Sequence, residues 1–225
     1  MDITKIATIH TDFPEKFGVP RQSGLVPGLG GRIVMEKEFR RKEAFKDLEG
    51  FSHVWLIWGF SENGGKWQLT VRPPRLGGNR RVGVFASRSP FRPNGLGLSA
   101  VRLVKISYDE PDSPVLYVDG VDMTDNTPIY DIKPYNPVSD RIEDAAGGFA
   151  DGAALQHLEV EDPKRLMEHL AEDKRSVLKE ILSQDPRPHY QNDPDRVYGF
   201  YYAGKEIKFK VSENSLILVE IIDKI

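Results

Sequence analysis

Between Ile3 and Val118 the apolar residues come in short runs, each cut off by Gly, Pro or Asp before helical periodicity can develop. Ile3 to Ile9 alternates apolar and polar side chains, and Arg32 to Met35 resumes an extended pattern. Ser52 to Phe60 (SHVWLIWGF) is dense in the aromatic and branched residues of a buried strand. Gln68 to Arg72, Arg81 to Phe85, Leu98 to Ile106 and Val115 to Val118 continue the series. Consecutive short strands without helices between them specify an antiparallel sheet closed into a barrel or sandwich, because an open sheet leaves its edges unpaired. Only Lys42 to Leu48 (KEAFKDL) reads as helical in this stretch. Trp55, inside an apolar run, reads as core, and His53 as a structural residue at a strand start.

The pattern changes at Asp144 to Ala154 (DAAGGFADGAA), a small-residue segment suited to a linker. The expected organisation is therefore a mainly β unit over residues 1–145 and a smaller α+β module over 155–225. In the module, Leu166, Met167, Leu170, Val177, Leu178, Ile181 and Leu182 follow the three-and-four spacing of one amphipathic helix, with Asp162 as cap before Pro163. That helix ends before Gln184-Asp185-Pro186-Arg187-Pro188, since proline cannot continue the hydrogen-bond ladder. Val197 to Tyr202, Lys205 to Val211 and Leu216 to Ile222 then alternate as three strands, with turns at Ala203-Gly204 and Glu213-Asn214.

Several chemistries are excluded or disfavoured. The chain has no Cys, so disulfides, thiolate metal sites and a cysteine nucleophile are out. His10, His53, His157, His169 and His189 are scattered without metal-ligand spacing, and no metal is expected. The longest apolar run, Leu216 to Ile222, falls far short of the roughly 20 residues needed to cross a bilayer. The first residues lack the features of a signal peptide, which predicts a cytoplasmic protein. Neither GxGxxG between strand and helix nor GxxxxGK[ST] occurs, so Rossmann and P-loop nucleotide sites are unsupported.

Net charge is −3 and the pI is about 6.0, values unlike those of a nucleic-acid binder. Charge is unevenly placed, however. From Asn63 to Tyr108 there is no Asp or Glu, while Lys66, Arg72, Arg75, Arg80, Arg81, Arg88, Arg92, Arg102 and Lys105 all fall inside. Screening confines electrostatic attraction to about 10 Å, so such a local field can hold a polyanion on an acidic protein. Within it, Arg72 to Gly97 (RPPRLGGNRRVGVFASRSPFRPNGLG) joins glycines that admit a ligand to the backbone, prolines that stiffen the loop and arginines with forked donors. Two further clusters are Phe17 to Gly24 (FGVPRQSG) and Asp122 to Tyr135 (DMTDNTPIYDIKPY).

Taken together, Phe17 to Leu25, Phe51 to Trp55, Thr70 to Phe85, Ala86 to Gly97, Asp125 to Tyr135 and Gln184 to Tyr190 resemble the tRNA threonylcarbamoyladenosine N6-methyltransferase family (TrmO), in the family's order and over almost the whole chain. The resemblance implies a non-Rossmann methyltransferase built on an antiparallel single-sheet β-barrel. It would act as a homodimer, with S-adenosyl-L-methionine as methyl donor and the anticodon loop of tRNA as substrate. It places cofactor contacts on Pro20, Arg21, Gln22, Ser61, Glu62, Arg88, Leu98, Asp125, Asn126, Thr127 and Pro128. The segment from Ser61 to Lys66 departs from the family form, as do Asn126, where Gly is common, and Gly95, where Pro is common.

The implied chemistry is an in-line displacement that needs alignment and exclusion of water rather than a metal or covalent nucleophile. Arg21 or Arg88 suits the cofactor carboxylate, and Asp125 a ribose diol. An acylated target nitrogen attacks poorly until its proton is drawn off, and Asp131 and Tyr135 are the candidate groups for that step. Arg92 beside Asn94 suits the threonyl carboxylate, with Arg75, Lys133, Arg187 and Tyr190 as further substrate contacts. Two other readings stay open on the residues alone: a non-catalytic RNA-binding barrel, and a methyltransferase acting on a small molecule or protein.

Overall fold

The computed structural model describes residues 2–73, 80–151, 157–187 and 193–223. Six strands form the closed barrel: β1 (Ala7–Thr11), β2 (Gly30–Met35), β3 (His53–Gly59), β6 (Leu96–Ser107), β7 (Val115–Asp119) and β8 (Thr127–Pro134). Their order around the barrel is β1-β2-β7-β6-β3-β8, with every neighbouring pair antiparallel. The short strands β4 (Thr70–Val71) and β5 (Val82–Gly83) make a separate ribbon on the segment before β6. Expected strand positions agree within the barrel except at the start. There Ile3 lies outside β1 and is exposed, and the strand instead runs on through His10 and Thr11, opposite Arg32 and Gly31. The strands read over Gln68–Arg72 and Arg81–Phe85 shrink to Thr70–Val71 and Val82–Gly83, with Val84–Ala86 turning into a 3-10 helix.

Strand periodicity decides which side chains fill the interior. On β3, Val54, Leu56 and Trp58 point inward and are buried. Trp55 therefore faces outward, contrary to its reading as core; its Nε1 donates to Asp140 Oδ2 at 2.8 Å and its ring packs on Tyr135 with centroids 5.5 Å apart. Gly97 on β6 leaves room for the Trp58 indole, since a Cβ there would overlap the ring. The helix expected over Lys42–Leu48 is absent. Two short 3-10 turns, Lys42–Phe45 and Leu48–Gly50, stand in its place, separated by Asp47 at φ 67°.

The C-terminal strands β10 (Tyr198–Tyr202), β11 (Lys205–Ser212) and β12 (Ser215–Asp223) form the meander read from sequence, and β9 (Glu159–Glu161) adds to β12 in parallel. The single long helix splits. Asp162 accepts from the backbone N–H of Leu166 and Met167 at 2.7 and 2.8 Å and caps a 3-10 turn over Leu166–His169; Leu170 and Ala171 are then extended, and α1 spans only Glu172–Ser183. The side chains of Val177, Leu178, Ile181 and Leu182 on α1 are buried.

The two parts share one apolar core. Phe13, Val26 and Leu29 from the barrel side cluster with Phe200, Tyr202, Val177 and Ile181. Phe13 and Tyr202 rings lie 5.3 Å apart, Lys174 Nζ meets Asp12 Oδ2 at 2.5 Å, and Ala203 N donates to Asp12 O at 3.1 Å. At roughly 25 cal/mol per Å² of buried apolar surface, side chains of this size each contribute on the order of 1.5–3 kcal/mol. The module is thus welded to the segment between β1 and β2 rather than tethered beside it.

Candidate active site

Because β3 and β6 pair in antiparallel register up to Gly59 opposite Leu96, the loop leaving β3 and the loop entering β6 meet at the same end of the barrel. Phe60 N donates to Gly95 O at 2.9 Å, and Asn63 Nδ2 donates to Pro90 O, which ties the two loops together. Between them lies a cleft of about 320 Å³ whose lining includes Ser61, Arg92, Asn94, Pro128 and Tyr130. Gly65 and Gly95 also line it, both at left-handed φ (67° and 53°) with open space where a side chain would project. This is the use of glycine that close approach of a ligand to backbone requires.

Tyr130 enters the cleft through a β-bulge. Ile57 pairs with Asp131 and Trp58 with Ile129, so Tyr130 has no opposite residue on β3. Bulges re-aim a side chain, and this one turns the tyrosine against Gly59, where a Cβ would come within 2.7 Å of Tyr130 Cε2. Arg92 is anchored from the other wall. Its Nη1 donates to Ser87 O at 2.6 Å and Val84 O at 3.3 Å, and the guanidinium lies 5.9 Å from the centre of the Phe85 ring.

A second polar group forms around Asp122. Trp58 Nε1 can only donate, so Ser99 Oγ accepts from it at 2.9 Å and must direct its own hydrogen to Asp122 Oδ1 at 2.6 Å. Burial pushes the Asp122 carboxyl above its ordinary value; Ser99, the backbone N–H of Ser23 and the charge of Arg88 pull the other way. Arg88 donates to Gln22 Oε1. Gln22 and Arg88 are thereby brought together, held on the barrel by Asp122. Arg21 instead donates through Nη2 to Asp185 O at 3.1 Å, and Pro20 is buried.

The other residues assigned from sequence divide as follows. Asp125 is engaged within its turn: its Oδ1 lies 3.1 Å from His10 Nδ1 and accepts from Thr11 N at 3.2 Å, while Oδ2 accepts from Asn126 Nδ2 at 2.8 Å. Asn126 adopts φ 63°, and Thr127 Oγ1 donates to Thr124 O at 2.8 Å. Only Pro128 of this segment reaches the cleft lining. Glu62 is exposed beside the cleft, and Leu98 is 56% exposed on the outer face of β6. Asp131 accepts from Ile132 N at 2.9 Å and pairs with Lys133 at 2.9 Å, and Tyr135 packs on Trp55; none of these three lines the cleft. Arg187 is 11% exposed and paired with Asp185. Arg75 and Tyr190 lie outside the described residues.

Of the cations in the acid-free stretch, some have internal partners. Arg81 donates to Thr70 Oγ1 and O at 2.7 and 2.8 Å, Arg102 pairs with Asp119 at 2.7 Å, and Lys105 Nζ sits 4.5 Å from the centre of the Tyr117 ring. Lys66, Arg72, Arg80 and Arg88 are exposed to solvent. Among the described residues, no group of three His, Asp or Glu side chains is arranged to hold a metal, and no helix is long and apolar enough to cross a membrane. Sequence reasoning does not single out Tyr130, Asp122 or Ser99, although the first two fall inside a segment that it does. A bulge and a buried acid leave no periodic signal.

Comparison with known proteins matches residues 8–141 to the tRNA-methyltransferase O N-terminal domain and residues 155–224 to the TrmO C-terminal domain. The chain is 36% identical over 218 residues to the tRNA (adenine(37)-N6)-methyltransferase of Escherichia coli (strain K12), covering 93% of this chain and 92% of that protein. It is 42% identical over 209 residues to the "Putative S-adenosylmethionine-dependent methyltransferase RcsF" of Pseudomonas aeruginosa, covering 88% and 87%. A crystal structure of TrmO from Pseudomonas aeruginosa superposes with a TM-score of 0.79 at 31% identity, over 100% of this chain and 97% of that one. A second TrmO crystal structure gives 0.80 at 31% identity, over 99% of each chain.

Proposed function

Because the chain belongs to the TrmO family of tRNA methyltransferases, we propose that it methylates N6 of N6-threonylcarbamoyladenosine at position 37 of the anticodon loop. It is an S-adenosylmethionine-dependent enzyme acting on tRNA, and the reading as a non-catalytic RNA-binding barrel is set aside. The observation that carries the finer reading is the cleft lined together by Arg92, Asn94, Tyr130 and Pro128 with Gly59, Gly65 and Gly95.

The residues suit the cofactor. A volume of about 320 Å³ is at the lower end of the range of roughly 300–1,000 Å³ typical of small-molecule sites. Arg88, exposed and held by Gln22 outside the cleft lining, presents a guanidinium suited to the carboxylate of an amino acid, and Ser61 and Pro128 line the cleft itself. When bound, S-adenosylmethionine supplies an electrophilic methyl group on a sulfonium. The protein's part is to align the target nitrogen and exclude water. Arg92, already fixed by Ser87 and Val84, offers its remaining donors to the threonyl carboxylate, which orients the modified base. The Tyr130 hydroxyl, in the cleft lining and re-aimed by the bulge, is suited to accept a hydrogen bond from the acylated N6–H. Asp131 and Tyr135 have no place in that lining, which favours Tyr130 over them for proton removal. Lys66, Arg72 and Arg80 provide exposed charge for phosphates.

We propose further that the enzyme acts in the cytoplasm and as a homodimer; the homodimer is supported by Leu69 and Phe85, each 75% exposed at the β4–β5 ribbon. The deciding experiment incubates the protein with labelled cofactor and with tRNAs that carry or lack the threonylcarbamoyl group, followed by digestion to nucleosides. Label is expected only in methylated threonylcarbamoyladenosine; equal labelling of both tRNAs overturns the substrate assignment.

A further inference from the structure

The arginine and prolines of the turn at residues 184–187 read, from sequence, as an RNA contact. Its geometry says otherwise. Arg187 Nε donates to both carboxylate oxygens of Asp185, at 2.9 and 3.1 Å, and each side chain is only 11% exposed. A guanidinium so enclosed is poorly placed to meet a phosphate in solvent. Asp185 itself has φ 50°, a left-handed conformation that a non-glycine residue holds only when its surroundings fix it. The ion pair supplies that fixation, and its effect is to aim the Asp185 carbonyl at Arg21, whose Nη2 donates to it at 3.1 Å.

The neighbouring interactions converge on the same loop. Gln184 Nε2 donates to Leu25 O at 2.8 Å. Gly18 lies so close to Phe200 that a Cβ would sit 2.5 Å from its ring, and Pro20 and Arg21 border Ile181 and Pro186. From the other side Gly24 N donates to Gly120 O at 2.9 Å, and Gln22 accepts from Arg88. The loop over residues 18–25 is therefore clamped between barrel and C-terminal module, and Gln22 at its tip holds Arg88.

We propose that Asp185 and Arg187 are positioning residues for cofactor binding: the ion pair fixes Arg21, Arg21 fixes the loop, and the loop sets Gln22 and Arg88. This rests on the reading of Gln22 and Arg88 as cofactor residues. It makes the C-terminal module part of the methyl-donor site and not solely a handle for tRNA.

The test measures S-adenosylmethionine affinity by calorimetry and tRNA affinity across a salt series, on the full chain. Arg187→Gln is expected to weaken cofactor binding at least five-fold while the logarithmic salt slope of tRNA binding stays unchanged. Removal of a cation that neutralises an RNA phosphate would instead lower that slope by about 0.7 to 0.9. Because Arg187→Gln leaves a buried carboxylate unpaired, the double variant Asp185→Gly/Arg187→Gln is measured beside it. Glycine removes the unpaired carboxylate but, being free in φ, does not replace the fixation, so cofactor affinity is expected to stay weakened; recovery to within two-fold of the parent would trace the loss to the unpaired charge and overturn the positioning role. Arg88→Ala separates the two levels of the argument. If Arg88→Ala leaves cofactor affinity unchanged, the cofactor assignment fails; if it weakens binding and Arg187→Gln does not, the positioning role alone fails. A lowered salt slope for Arg187→Gln with intact cofactor binding overturns the proposal in favour of an RNA-binding role.

Discussion

Replacing Gly59 by Ala plants a methyl group where the Tyr130 ring now lies. The added Cβ would sit 2.7 Å from Tyr130 Cε2 and 2.9 Å from its hydroxyl oxygen, well inside van der Waals contact. The backbone of β3 is held against retreat, because the adjacent Trp58 is buried and bonded to Ser99. The tyrosine is the partner that must move, and the open direction is the cleft it already borders. Turning a side chain off its rotamer costs about 0.5–1.5 kcal/mol, and overpacking a closed core about 1–3 kcal/mol. Since the ring escapes into open space, a destabilisation of about 1 kcal/mol is expected, a fall of roughly 2–4 °C in Tm for a chain of this size. The larger effect is on turnover, because the displaced ring occupies the space assigned to donor and base. Thermal denaturation and methylation of modified tRNA are measured for Gly59→Ala, Tyr130→Ala and the double variant. With no ring to displace, Gly59→Ala has little further effect on stability in the Tyr130→Ala background, which gives a coupling of about 1 kcal/mol. Strictly additive stability losses, or a Gly59→Ala protein with parental Tm and turnover, refute the reasoning.

Three further outcomes follow from the same geometry. Arg92→Ala removes a charged donor from the cleft lining, which at about 1.5–3 kcal/mol lowers kcat/KM on modified tRNA by roughly 10- to 150-fold; Arg92→Lys is expected not to restore it, and full rescue by lysine would count against a forked interaction. Folding raises the Asp122 carboxyl above its ordinary 3.8, so the protonated acid favours the folded state, completely below 3.8 and progressively less as pH rises through the raised value. The stability difference between Asp122→Asn and the parent should therefore shift toward the variant from about pH 3 to about pH 7, and a pH-independent difference in denaturant titrations would remove the argument. Asp162→Ala deletes the acceptor for the Leu166 and Met167 N–H groups and is expected to cost about 1 kcal/mol, as cap removal does elsewhere; an unchanged unfolding midpoint contradicts that role.

Much of this protein is decided locally. The alternation of β3, the turns at Ala203-Gly204 and Glu213-Asn214, and the absence of acids from residue 63 to 108 are properties of neighbouring residues, and they are legible without coordinates. Local reading nevertheless fails at two places. The helix face continues through Leu166 and Met167, but the Asp162 carboxylate captures their N–H groups and starts a separate turn, so α1 begins only at Glu172. Trp55 reads as core because its run is apolar; strand alternation turns it outward and buries Trp58 instead.

The site depends on residues far apart in the chain. Arg92 and Asn94 meet Tyr130 only because β3 pairs with both β6 and β8 as the barrel closes, and Tyr130 points into the cleft only because a bulge displaces it from the ladder. The amino-acid sequence supplied the donors, the glycines and the strand pattern, since these are set by composition and period. Which arginine faces a ligand and which secures another loop was decided by the tertiary structure, because a guanidinium's role is fixed by what surrounds it. Arg88 stands exposed beside Gln22, whereas Arg187 is enclosed with Asp185, and nothing in their local sequence distinguishes the two.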